Sequence, residues 1–142
     1  MITNADITVY NKVEFRDEIT YYRTYIEQVN WQNVTRAVVG SNGIDADKGL
    51  FGSTVIFIPR SSIDECVKEY KKPKAFMSEA DKSAFFTFEE GTVIVRGTCT
   101  YDLNAGTLKD LKAKYDDVLT VLVVDTADNG SYDMQHFMLE AK

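Results

Sequence analysis

The stretch DVLTVLVVD, Asp117–Asp125, carries apolar side chains on both alternating faces of an extended chain. A strand of this kind needs hydrogen-bonded neighbours at its edges and packed layers above and below it. We therefore predict that it is the central strand of the fold. A helix, about Thr107–Tyr115, is predicted before it, and a returning strand, Gln135–Glu140, is predicted after an exposed turn at Asn129-Gly130.

Further upstream, short alternating runs rich in β-branched and aromatic residues predict more strands. These strands are Ile7–Tyr10, ended by a turn at Asn11-Lys12, then Glu18–Trp31, Val34–Val39 and Ser53–Ile58. The second of them is long enough to be bent around a barrel corner or broken near Gln28.

Two further local patterns lie between these strands and the central one. Ser83–Phe88 and Thr92–Val95, joined by Glu89-Glu90-Gly91, predict a β-hairpin. The spacing of a capping box at Ser62-Ile63-Asp64-Glu65 predicts a second, short helix, about Ser62–Tyr70, ended by the solvated connector Lys71–Lys74.

Together these elements predict a mainly β (α+β) fold, a small antiparallel β-barrel or sandwich with one clear helix. A chain of 142 residues is long enough for one hydrophobic core, and no composition shift or linker divides it. We therefore expect a single domain, 1–142.

The segment Gly40–Gly52 has four glycines and no hydrophobic period, which predicts a long glycine-rich loop. Long loops in compact domains often carry the function. Its apolar residues Leu50 and Phe51 indicate that the loop docks on the chain's own core or on a neighbouring subunit. The candidate assembly residues in this loop are Asn42, Asp45, Asp47, Lys48, Leu50 and Phe51.

Charge and titratable residues limit the chemistry. Lys+Arg is 16 against Asp+Glu 22, a net charge of −6, which argues against binding to nucleic acid or anionic membranes through cations. Cys66 and Cys99 are too far apart for a C-x-x-C motif and are expected to be free thiols, buried or half-buried. His136 alternates with Met134 and Met138 and has no adjacent nucleophile, so we predict a packed structural histidine.

The glycine-rich segment also fails the patterns of known ligand loops. Asp45 and Asp47 suggest calcium, but Leu50 and Ile56 stand where an EF-hand needs glycine and an acidic residue. Lys48 is followed by glycine and then by a strand, unlike a phosphate-binding loop. We therefore predict no catalytic residue, no metal site and no cofactor.

Aromatic residues are concentrated on one predicted strand. Tyr21, Tyr22, Tyr25 and Trp31 exceed what one half-buried face requires. Tyrosine and tryptophan are enriched both in cores and at protein interfaces. Core packing accounts for most of this excess, and Tyr21, Tyr25 and Trp31 are the candidate interface aromatics.

Several segments together resemble an uncharacterised family of small structural proteins of tailed bacteriophages, encoded among the head and neck genes. They are Ile2–Asn11, Val29-Asn30-Trp31, Ile58–Tyr70, Pro73–Phe76, Gly91–Gly97 and Met134–Phe137.

The resemblance implies a non-enzymatic head–tail connector of the virion neck, a head-closure or stopper subunit made in the bacterial host cytoplasm. It implies a homo-oligomer, a hexameric or dodecameric ring, between the portal or adaptor and the tail-terminator proteins. DNA would pass through a net-negative lumen without specific binding. A tail-completion or minor capsid protein fits the same features, and a monomeric β-barrel that binds a small ligand or peptide is an alternative of another class.

Overall fold

The computed structural model describes residues 2–38 and 49–142, of which 34–38 and 49–52 are described by their backbone alone. The strands are β1 (Ala5–Phe15), β2 (Glu18–Val38), β3 (Gly49–Pro59), β4 (Glu69–Tyr70), β5 (Phe85–Phe86), β6 (Val93–Arg96), β7 (Val118–Ala127) and β8 (His136–Ala141). The helices are α1 (Arg60–Asp64), α2 (Pro73–Ser78) and α3 (Leu108–Lys114), with 3₁₀ turns at Lys82–Ala84 and Tyr132–Met134.

Six antiparallel strands close into a barrel in the order β1-β2-β3-β8-β7-β6, so the predicted mainly β barrel fold is confirmed. The long β2 is continuous but irregular at Gln28, where a bend or break was expected. Its register with β1 shifts there, Gln28 adopts a φ of +61°, and its backbone N–H donates to Asp6 Oδ1 at 3.0 Å. The prediction of a separate strand at Val34–Val39 is wrong, since Val34–Val38 continues β2.

The turn after the first strand also lies further on than predicted. β1 runs through Asn11 and Lys12 to Phe15, so a turn at Asn11-Lys12 is wrong. The reversal occurs at Arg16 and Asp17, whose φ values of +48° and +67° match the two-residue turns that suit strand twist.

The barrel interior is filled by side chains from every strand of the ring. Its fully buried members include Val9, Ile26, Ile56, Ile94, Val121 and Leu139. Trp31 lies in the same cluster and is 4% exposed. Such a core is typical of a small closed barrel, whose lumen is wide enough for packed side chains.

A second apolar cluster covers β1 and β6 from outside the barrel. Leu111 of α3 and Leu103 pack on Tyr10 of β1 and on Val93 and Val95 of β6. These two strands are therefore the ones that are buried on both faces.

Asp117–Asp125 was predicted to be such a strand, and in this respect the prediction is wrong. On β7, Leu122 and Val123 are 46% and 42% exposed, while Val121 is buried. A closed ring has no central strand, and α3 covers the neighbouring strands instead.

The hairpin predicted from Ser83 to Val95 is also wrong. β5 pairs in parallel with β4, and β6 pairs with β1 and β7. The aromatic alternation that suggests a strand has another cause, because Phe86 and Phe88 are buried in the barrel core. Both rings contact Tyr70, Phe86 edge-on and Phe88 stacked, and Phe88 also packs on Phe137.

One of the two helix predictions is confirmed, and the other is wrong in its bounds. The helix about Thr107–Tyr115 is confirmed as α3, where the hydroxyl of Thr107 accepts from the Asp110 amide at 3.1 Å. The helix about Ser62–Tyr70 is wrong in its bounds, since α1 is Arg60–Asp64 and Ser62 donates to the carbonyl of Gln28 at 2.7 Å rather than capping a helix.

The basic segment that follows α1 also differs from the solvated connector predicted for it. Pro73 begins α2 at its first position, where its missing N–H costs nothing. Lys71 pairs with Glu79 at 2.7 Å and lies over the ring of Phe85 at 4.6 Å. This lysine therefore ties the connector to the segment after α2.

Three asparagine side chains each bind the backbone N–H and C=O of one distant residue, as a neighbouring strand would. These asparagine clamps are Asn4 on Trp31, Asn11 on Thr87, and Asn104 on Tyr21. The side-chain nitrogen lies 3.0, 2.6 and 2.9 Å from the backbone carbonyl oxygen in the three clamps, in that order. The side-chain oxygen lies 2.7, 3.3 and 2.7 Å from the backbone nitrogen. Each clamp satisfies backbone groups that have no strand partner in the described sheets, and at the buried Thr87 water cannot take its place.

Candidate functional site

A two-stranded ribbon of β2 and β3 extends past the rest of the barrel. The two strands pair from Asn30↔Phe57 to Val38↔Gly49. β1 pairs with β2 only as far as Val29, and β8 pairs with β3 only from Thr54 onward. In the described sheet, residues 34–38 and 49–53 therefore pair only with one another, over a length of about 17 Å at 3.4 Å per residue.

The ribbon leaves both of its backbone edges without a described strand beside them. An isolated hairpin is marginally stable in water, and exposed strand edges readily accept another chain. Such an element gains stability when a partner covers it. The ribbon is therefore the main candidate for contact with another protein.

Two of the predicted loop residues lie in this ribbon. Asn42, Asp45, Asp47 and Lys48 lie outside the described residues. Leu50 and Phe51 lie in β3, opposite Ala37 and Arg36 of β2. The loop prediction is therefore wrong for residues 49–52, because β2 continues far enough to pair with them.

The structure separates the three candidate interface aromatics. Trp31 points into the barrel and is core, so an exposed interface role for it is wrong. Tyr21 is half-buried against the second cluster. Tyr25 is 40% exposed, and its hydroxyl donates to the carbonyl of Cys99 at 3.0 Å. Only Tyr25 of the three presents a large free face.

A surface that the sequence analysis did not identify lies on the outer side of β3, β8 and β7. We call it the open face, and its residues are Val55, Phe57, Val123, Met138 and Glu140. The register places Glu140 directly between Val55 and Val123, with Phe57 beside Met138 in the next row. No described helix packs over it, although four of these five side chains are apolar. The alternation of β8, with Phe137, Leu139 and Ala141 inward, was the signal that could have found it.

A cleft of about 530 Å³ separates the α1–β4 segment from the β7–β8 turn. Its lining includes Cys66, Lys68 and His136, and each of these side chains contacts a backbone carbonyl. The Cys66 thiol donates to the carbonyl oxygen of Tyr25 at 3.3 Å, and His136 Nδ1 lies 2.9 Å from the carbonyl oxygen of Met134. Lys68 donates to the Arg23 carbonyl, and burial lowers the pKa of its amine.

Both cysteines and His136 occupy structural positions. Both cysteines are free, Cys99 buried and Cys66 half-buried, as predicted. His136 packs edge-on against Phe57 at 5.6 Å, as expected for a structural histidine. Among the described residues, no group of three His, Cys, Asp or Glu side chains could hold a metal ion. Nor does that part of the chain contain a helix with the length and apolar character that a membrane crossing requires.

Comparison with known proteins gives one match. The model of a family described as a family of unknown function (DUF6751) covers residues 2–142. Neither a curated protein nor a solved structure matched the chain.

Proposed function

Since the chain belongs to this family of unknown function (DUF6751), we propose its role from its own surface: it is a non-enzymatic structural subunit of a tailed-phage virion. Within the virion we assign it to the neck, as a head-closure or stopper subunit of the head–tail connector. The observation that carries the proposal is the ribbon of β2 and β3, beside which no strand of the described residues pairs at either edge.

The barrel and the ribbon suit different parts of this task. The filled core makes the barrel a rigid body. The ribbon, about 17 Å of paired strand beyond that body, can reach an adjacent ring or the channel. Because a hairpin of this kind is poorly stable alone, the partner it contacts would add to its stability.

The proposed partners are further copies of the chain in a hexameric or dodecameric ring, with the portal or adaptor on one side and the tail terminator on the other. No cofactor takes part. The net charge of −6 would let packaged DNA pass without adhering to the lumen. A small-ligand barrel is less well supported, because the described interior is filled with side chains.

The proposal is tested in the phage or prophage that encodes the chain. Its gene is deleted and complemented with the wild type or with a variant in which Asn-Gly replaces residues 36–51, joining the Thr35↔Gly52 pair. We expect the wild type to restore infectious particles and the shortened ribbon to yield heads that lose DNA or lack tails. Cryo-electron microscopy of wild-type particles should place the protein at the neck.

A matched control changes the other hairpin. Asn-Gly in place of Arg16-Asp17 keeps a turn whose residues already have positive φ, so this variant should complement fully. Both purified variants should unfold cooperatively, which separates a lost contact from a lost fold. Density at the tail tip or on the capsid would assign a tail-completion or minor capsid role, and particles without the protein would refute a virion role.

A further inference from the structure

The open face lies on one side of the barrel, and α3 lies on the other. In the ring order β1-β2-β3-β8-β7-β6, the β3–β8 pair is furthest from the β1–β6 pair on which α3 packs. We propose that the open face of one copy docks on the outer side of α3, the α3 flank, of a second copy. This docking rests on the proposed function, since it is the lateral contact that would build the ring.

The carboxylate of Glu140 limits which partner surfaces can bind the open face. Glu140 is half-buried between Val55 and Val123, and its carboxylate takes part in no hydrogen bond or ion pair within the described residues. A partner that covered the apolar neighbours would also remove this carboxylate from water. That is costly unless the partner supplies a cation.

The α3 flank supplies such cations. Lys109 and Lys112 are exposed and three residues apart, so they are neighbours on the helix surface. Neither forms an ion pair within the described part of the chain, whereas Lys114 is held by Asp110 at 3.4 Å. Lysine can lay its methylene stem on apolar surface while its amine reaches a carboxylate. This matches an apolar face that carries Glu140, with Asp125 opposite Met138 in the next row.

The same charges exclude a symmetric pairing of two open faces. A two-fold contact would bring Glu140 against its own copy, with Asp125 of β7 close by. Like charges at a covered interface oppose association. A contact between different surfaces on opposite sides of the subunit avoids this repulsion, and repetition of such a contact closes into a ring.

Charge reversal tests the pairing in the full-length purified chain. Glu140→Lys and the double variant Lys109→Glu/Lys112→Glu are each analysed by sedimentation velocity and native mass spectrometry up to millimolar concentration. We expect the wild type to self-associate and each variant alone to dissociate, with a dissociation constant raised about 30-fold or more. Mixed in equal amounts, the two variants should associate again, because every contact in an alternating ring then joins opposite charges.

Two further measurements complete the test. Lys114→Glu, on the same helix but already paired with Asp110, should weaken association much less. Zero-length carbodiimide coupling of isotope-labelled with unlabelled wild-type chain should join the Glu140 peptide of one copy to the Lys109 or Lys112 peptide of another.

A wild type that stays monomeric, a Glu140→Lys variant that assembles normally, or a mixture that is not rescued would each overturn the docking. These results are independent of the location of the protein in particles, so the proposed function can survive the failure of this contact.

Discussion

The asparagine clamps allow a quantitative prediction, because the same interaction occurs at three levels of burial. Asn11 is 1% exposed and its partner Thr87 is fully buried. Replacing Asn11 with Ala removes the hydrogen-bond partners of the Thr87 N–H and C=O, at a site that water does not reach. Each orphaned group costs about 1–3 kcal/mol, so we expect a loss of about 2–6 kcal/mol in the free energy of unfolding.

The clamp of Asn104 on Tyr21 serves as the matched control. It has the same two hydrogen bonds, but it lies at the surface, where water can replace the side chain. Asn104→Ala should therefore cost less than about 1 kcal/mol. Asn4 clamps Trp31 in a partly buried site, so the stability lost in Asn4→Ala should lie between the losses in Asn11→Ala and Asn104→Ala.

The assay is urea unfolding followed by Trp31 fluorescence, with thermal unfolding as a second measure, where 1 kcal/mol corresponds to about 3 °C in a chain of this size. Asn11→Leu separates the lost hydrogen bonds from the lost volume, since leucine fills the space but cannot clamp. Equal losses for Asn11→Ala and Asn104→Ala, or full stability in Asn11→Leu, would refute the argument from burial.

Three other changes have expected outcomes in the same unfolding assay. Leu111→Ala removes the buried anchor of α3 and should cost about 2–5 kcal/mol; a smaller loss would mean that α3 is loosely attached. Gly97→Ala should cost about 1–3 kcal/mol through its φ of +86° alone, because an added Cβ meets no atom within 4 Å. Burial raises the pKa of the Glu89 carboxyl, so the folded chain holds that proton more tightly. Stability should then fall as pH rises from the ordinary pKa through the raised one, and Glu89→Gln should remove that part of the slope.

Local patterns in the sequence predict most strands, because alternation and β-branched content follow from the strand itself. The irregularity of β2 at Gln28, the returning strand β8 and the helix α3 were all accessible in this way. The mainly β barrel followed from the number and spacing of the strands.

Errors arose where distant contacts decide the structure. Phe86 and Phe88 alternate as in a hairpin, yet their rings fill the barrel core. The apolar run of β7 suggests cover on both faces, but the chain places α3 over β1 and β6. Residues 49–52 have the glycine content of a loop and still pair, since the partner strand β2 continues beside them.

The candidate surfaces, too, depend partly on local sequence patterns and partly on distant contacts. Leu50 and Phe51 lie in a strand rather than a loop, and their role in assembly stays a prediction. The open face could be read from the sequence only in part: the alternation of β8 marks Met138 and Glu140 as outward, but Val55 and Val123 become their neighbours only through the register of three strands. Trp31 was indistinguishable from an interface aromatic until its side of β2 was known.

The continuous course of β2 gives the molecule a direction. One terminus of this strand joins the Arg16-Asp17 turn, next to the exposed Phe15, and the other becomes the ribbon. The two extremities differ in length, sequence and chemistry, so copies arranged in parallel around an axis would form an annulus with two dissimilar rims. Such an annulus could be added to a growing particle in one orientation only. Its outer rim would then be a new surface on which the next component could bind.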